Sequence, residues 1–129
     1  MLRAMSQCAT SSLYLLQLAL LATHQVDAAY WHEWDVFGVP GGITSVLAFN
    51  LPAMLLLGLG LVFVASGERR AQASVLACAG TGLITCAIHA VFLGRDGVAF
   101  WAPASLALLG AILVTALAQL ALVLRRPKE

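Results

Sequence analysis

Charge is scarce in this chain: Asp, Glu, Lys and Arg make up 10% of 129 residues, against 61% hydrophobic residues. Soluble domains average about a quarter charged and about half apolar, so a water-soluble globular fold is excluded and an integral membrane protein is expected. The net charge is only +1, which makes the placement of charge more informative than its sum. The basic residues sit at segment ends and form no stripe, which excludes nucleic acid as a partner. Cysteine is equally sparse and odd in number, at Cys8, Cys78 and Cys86. Cys78 and Cys86 would lie ~12 Å apart along one helix and cannot pair with each other, so free, packed thiols are expected. No CxxC, HxxxH or HExxH pattern occurs, nor any internal repeat or low-complexity tail.

What is present is a succession of apolar runs long enough to cross a hydrocarbon core, which takes ~20 helical residues. A polar lead to Ser12 precedes a first span over about 13–34, and Gly38, Pro40, Gly41 and Gly42 then form a breaker. A second span covers about 43–65, with Pro52 removing a backbone donor and Asn50 placed to satisfy a freed carbonyl. After the polar turn Ser66-Gly67-Glu68-Arg69-Arg70 come a third span at about 73–93 and a fourth at about 100–124. Phe100, Trp101 and Pro103 open that last span as an interfacial aromatic group. The expected fold is all-α, a four-transmembrane-helix bundle in a single domain. Small residues at Ala104, Ala107, Ala111, Thr115 and Ala118, and at Gly58 and Gly82, would let its backbones approach closely.

Arg3, Arg69, Arg70, Arg125, Arg126 and Lys128 fall on one side of these spans and Arg95 alone on the other. That asymmetry puts both termini in the cytoplasm and turns the loops carrying Glu33, Asp35 and Asp96 outward. A rival reading takes Leu13 to Ala22 as the apolar core of a secretory signal cleaved after Val26-Asp27-Ala28. Acidic Asp27 beside His24 and Gln25 argues against it.

The chemically unusual stretch runs from His24 to Gly42 and holds two of the three histidines, three of the six acidic residues and two of the three tryptophans. At 100° per residue Gln17, His24, Asp27 and Trp31 share one side of the first helix, and Cys78, Gly82, Thr85 and His89 share one side of the third. His24 and Asn50 come ~15 Å and ~11 Å below the outward ends of their helices, so His24, Asp27, Asn50, Thr85 and His89 form the candidate polar site. His32 and Glu33 are candidate additions, although the favoured reading of both is as solvated loop charges beside an aromatic belt. Ionisable groups at this depth mark functional sites, while the same groups also serve as interhelical hydrogen bonds worth about 1 kcal/mol each. As a metal site, His24, Asp27 and His89 would offer two imidazoles and a carboxylate, a set suited to divalent Zn or Fe. As a proton or small-ligand site, the same His-Asp pair titrates near neutrality.

The run His-Gln-Val-Asp-Ala-Ala-Tyr-Trp-His-Glu-Trp-Asp-Val-Phe-Gly-Val-Pro-Gly-Gly, followed by Phe49-Asn50-Leu51-Pro52, resembles a family of small uncharacterised four-helix bacterial integral membrane proteins. Its signature is HxxDxxYWHEWxxFGxPGG, and the resemblance implies a multi-pass protein of the bacterial plasma (inner) membrane. His24-x-x-Asp27 and Thr85-x-x-x-His89 are also similar to a membrane family named for a His-x-x-Glu-Glu motif with a later Asn-x-x-x-His. Here Asp27, Ala28 and Thr85 replace its two Glu residues and its Asn. Neither resemblance implies a substrate. Three functions stay open: a binding or sensing module, a metal-dependent membrane enzyme of oxidoreductase type, and a structural accessory subunit. The bilayer is the expected partner, with a homodimer or a membrane complex compatible with so small a bundle.

Overall fold

A computed structural model describes residues 2–93 and 102–125, with side chains from residue 7 onward. The described chain is all-α: α1 (Leu2–Tyr30), α2 (Glu33–Val36), α3 (Gly42–Ser66), α4 (Ala71–Phe92) and α5 (Pro103–Leu124). The loop with Arg95, Asp96, Phe100 and Trp101, the Arg3 side chain, Arg126 and Lys128 lie outside the described residues.

α3, α4 and α5 are long and apolar enough to cross a membrane. α1 has the length, at 29 residues, but Thr10, Gln17, His24, Gln25 and Asp27 dilute its apolar character. It also begins well before the expected Leu13, because the polar lead contains no Gly or Pro and its side chains find partners. Gln7 Nε2 donates to the Ala65 carbonyl (2.8 Å) and Ser11 Oγ to the Gln7 carbonyl (2.9 Å). It ends at Tyr30, short of the expected Trp34, since His32 adopts a left-handed backbone (φ 52°, ψ 46°) and the chain turns into α2.

The glycine breaker behaves as its composition suggests, with Gly38 and Gly41 between α2 and α3 and Gly42, the first residue of α3, all at positive φ. α3 closes on Gly67 (φ 67°): Glu68 N–H reaches the Phe63 carbonyl (3.1 Å) and Gly67 N–H that of Val64 (3.3 Å), a Schellman stop. Pro103 occupies the first turn of α5, where its missing N–H has no helical partner to lose. Helix α3 continues through Pro52.

The long helices form a ring in which α1 neighbours α3 and α5, α4 neighbours α3 and α5, and α1 and α4 meet across the diagonal. Tyr14, Leu21, Leu57, Val64, Val75, Cys78, Ile112 and Val123 make the core. The inner face of α5 is Ser105, Leu109, Ile112, Thr115, Ala116, Gln119 and Val123, whereas Ala104 and Ala107 are exposed. Close approach uses Gly60 and Gly82; Gly58, expected at a contact, faces open space. Cys78 is buried, Cys86 half-buried and Cys8 exposed, all as free thiols.

Polarity runs inside out. Gln17, Gln119, His24, Glu33 and His89 are buried, while Phe49, Leu51, Leu55, Leu56, Ile84, Val91 and Val114 are more than half exposed. Only a solvent as apolar as the core stabilises that distribution, so the outer surface is built for lipid.

Candidate metal centre

Helical spacing explains how α1 and α4 each supply a donor. Tyr14, Gln17, Leu21 and His24 recur at three- and four-residue intervals and are all buried, as are Cys78, Gly82 and His89 on α4. His24 and His89 therefore project from facing stripes, and their rings meet edge-on with centroids 4.7 Å apart at 73°. The third group comes from the turn after α1. The left-handed residue His32 reverses the chain, and Glu33, the first residue of α2, is carried back into the bundle with 4% of its surface exposed.

One donor atom from each of His24, Glu33 and His89 lies within 4.8 Å of the other two. His89 Nε2 is 3.2 and 3.1 Å from the two Glu33 oxygens, and His24 Nε2 is 3.9 Å from Glu33 Oε2. Donors bound tetrahedrally at 2.0–2.1 Å to one ion stand about 3.4 Å apart, so this spacing fits a shared cation after a small closure of the His24 ring.

The hydrogen bonding narrows the chemistry. His89 Nδ1 is 2.8 Å from the Thr85 carbonyl oxygen, which only accepts, so Nδ1 carries a proton. Nε2 then faces the Glu33 carboxylate either as the second N–H of an imidazolium or with a bare lone pair. The latter is stable with a proton on the Glu33 carboxyl or with a cation between them. His24 Nδ1, meanwhile, is buried with no hydrogen-bond partner. Phe37 packs its ring edge-on to His89 at 5.5 Å and also contacts Phe92, closing one side of the group. The described cations Arg69, Arg70 and Arg125 belong to the other end of the bundle, at the α3–α4 turn and the close of α5.

Residues 10–126 match the profile of a family of unknown function, DUF6713. The chain belongs to that family. No curated protein and no solved structure matches it. The DUF6713 match covers all three donors and every residue of the pocket beside them, but the family description brings no activity.

Within this DUF6713 chain the other candidate residues take separate places. Asp27 is not among the three grouped donors, though its charge acts on both histidines; its Oδ1 accepts from Ser105 Oγ on α5 (2.9 Å). Asn50 donates from Nδ2 to Gln25 Oε1 (2.6 Å), bridging α3 to α1 instead of repairing the backbone at Pro52. Thr85 contributes its carbonyl. His32 and Asp35 are exposed, with the His32 ring tilted 31° against Trp34 at 5.0 Å. Glu33, expected from the sequence first as a solvated loop charge, is instead the buried acid.

A pocket of about 210 Å³ adjoins the three donors. Ala28, Trp34, Phe37, Val39, Val46, Phe49 and Ile88 form apolar walls, and Gln25, Asn50 and Thr85 complete the lining. Gln25 and Ser105 carried no signal as polar partners in the sequence beyond their depth. A second buried polar cluster lies deeper: Tyr14 Oη donates to the Leu57 carbonyl (2.8 Å), Gln119 Nε2 to that of Leu13 (3.3 Å), and the Thr115 hydroxyl hydrogen-bonds the Gln17 side chain. Leu21 and Ile112 are buried at the intervening heights and separate that cluster from the histidines.

Proposed function

We propose that this protein is a multi-pass protein of the bacterial plasma membrane whose function is to hold a divalent transition-metal ion at His24, Glu33 and His89. In this reading α1 crosses the bilayer with α3, α4 and α5, both termini are cytoplasmic, and the metal lies in the outer half of the bundle. Two imidazoles and one carboxylate suit Zn or Fe(II), and such an ion would have a position left for a further ligand from the pocket that the three donors line. A bound ion there would act as a Lewis acid on an oxygen or nitrogen donor. Thr85 fixes the His89 tautomer, as a carbonyl commonly does behind a metal-bound imidazole.

The observation that carries this reading is the pairing of a Thr85-anchored His89 with a buried carboxylate beside a second buried histidine, with one donor atom of each within 4.8 Å of the others. The competing arrangement, a His89 imidazolium on the Glu33 carboxylate, leaves the His24 ring beside that pair, with its Nε2 3.9 Å from Glu33 Oε2, and gives it no role. The crossing of α1 is supported by its length and by its buried core residues Tyr14 and Leu21, which a cleaved signal would remove.

Elemental analysis of the full chain purified in detergent decides the matter. About one Zn or Fe per chain is expected, lost in Glu33→Gln and His89→Ala but kept in Asp27→Asn, whose carboxylate serves Ser105. Protein that stays metal-free after incubation with either ion would instead assign the pair to proton binding.

A further inference from the structure

We infer that the pocket beside His24, Glu33 and His89 admits a small apolar molecule from the bilayer, with one nitrogen or oxygen donor directed at the metal. This rests on the metal reading above and adds the class of ligand.

Four observations point to that class. The exposed residues of the lining are Phe49 (74%), Ile88 (42%) and Val39 (36%), so the mouth is apolar and opens on the surface built for lipid. The polar side chains on its wall are few, and Asn50 Nδ2 already donates to Gln25 Oε1. The lining contains no Lys or Arg, so a free carboxylate or phosphate finds no counter-charge on the walls of the pocket. Finally, the volume of about 210 Å³ exceeds the ~150 Å³ in which an apolar cavity takes up benzene, so one ring plus a short donor group fits. Trp34 and Phe37 offer ring faces and edges against such a guest.

The test uses the full chain in detergent, loaded with Co(II), whose visible absorption reports its ligands. Imidazole and 4-phenylimidazole carry the same donor and differ by one apolar ring. Titration should perturb the cobalt bands with both, and the phenyl compound should bind at least about tenfold more tightly, since its ring is removed from water. Val46→Trp, filling the pocket from α3, should abolish the phenyl advantage while Co(II) still loads.

Loaded cobalt that responds equally to imidazole and 4-phenylimidazole, or to neither, overturns the apolar-ligand inference and leaves the metal site intact. Failure to load Co(II) at all removes the metal reading and this inference with it. The comparison of the two compounds on the unaltered chain needs no substitution, so its outcome does not depend on Val46→Trp folding.

Discussion

His89 meets the carboxylate of Glu33 across 56 positions of chain, with Nε2 3.1 and 3.2 Å from its two oxygens. The contact ties α2 to α4, and through His24 to α1, at a level where each of the three groups is at most 4% exposed. Groups so buried depend on one another: with one partner gone, the other retains its desolvation penalty and loses its compensation.

In metal-free protein, His89→Leu should therefore destabilise the fold by about 3–5 kcal/mol, by stranding the Glu33 carboxylate. Glu33→Gln should cost less, because an amide still hydrogen-bonds a neutral imidazole. The double replacement of His89 and Glu33 by Leu should cost clearly less than the sum of the two single Leu variants. Thermal unfolding in detergent measures all of these, and strict additivity would show that the two side chains do not interact.

Gly80 and Gly82 lie two positions apart on α4 and should respond oppositely to alanine. A Cβ on Gly82 would press on the Gln17 amide nitrogen and come within 3.2 Å of Ile112 Cγ2 and 3.3 Å of Ala116 Cβ. Gly82→Ala is expected to cost about 1–3 kcal/mol by overpacking. Gly80 meets nothing within 4 Å. Gly80→Ala should gain up to about 1 kcal/mol from helix propensity. The same unfolding assay reads both, and a harmless Gly82→Ala would mean that α1, α4 and α5 are not packed this closely.

The proposed topology, with both termini cytoplasmic, rests on the six-to-one distribution of Lys and Arg. Reporters active only in the cytoplasm should give signal when fused to either end of the chain. Cysteines introduced at Asp35 and Glu68, both exposed, should differ: the first reacts with an impermeant maleimide added to intact cells and the second does not. Labelling of both, or mature protein beginning near Ala29, would contradict four crossings.

Much of the architecture is legible because hydrocarbon imposes few solutions. With no water to satisfy the backbone, apolar runs of 22–25 residues bounded by Gly67, Pro103 and the Gly38–Gly42 turn become helices α3, α4 and α5. The extent of α1 is less legible, since its start depends on Gln7 reaching the end of α3, and its finish on a left-handed histidine where neither Gly nor Pro announces a break.

An all-α chain with apolar membrane-length helices, and the placement of His24 and His89 on helix faces at similar depth, follow from the amino-acid sequence without further help, because both depend on local hydropathy and a fixed rise and rotation per residue. Which acid joins the histidines depends on the tertiary fold. Asp27 is about 60° around α1 from His24, enough to turn it from α4 toward Ser105 on α5. Glu33 reaches the histidines only because the chain reverses at His32. Helical periodicity carries no information across such a reversal, so the carboxylate at the site is set by how the turn packs on the bundle.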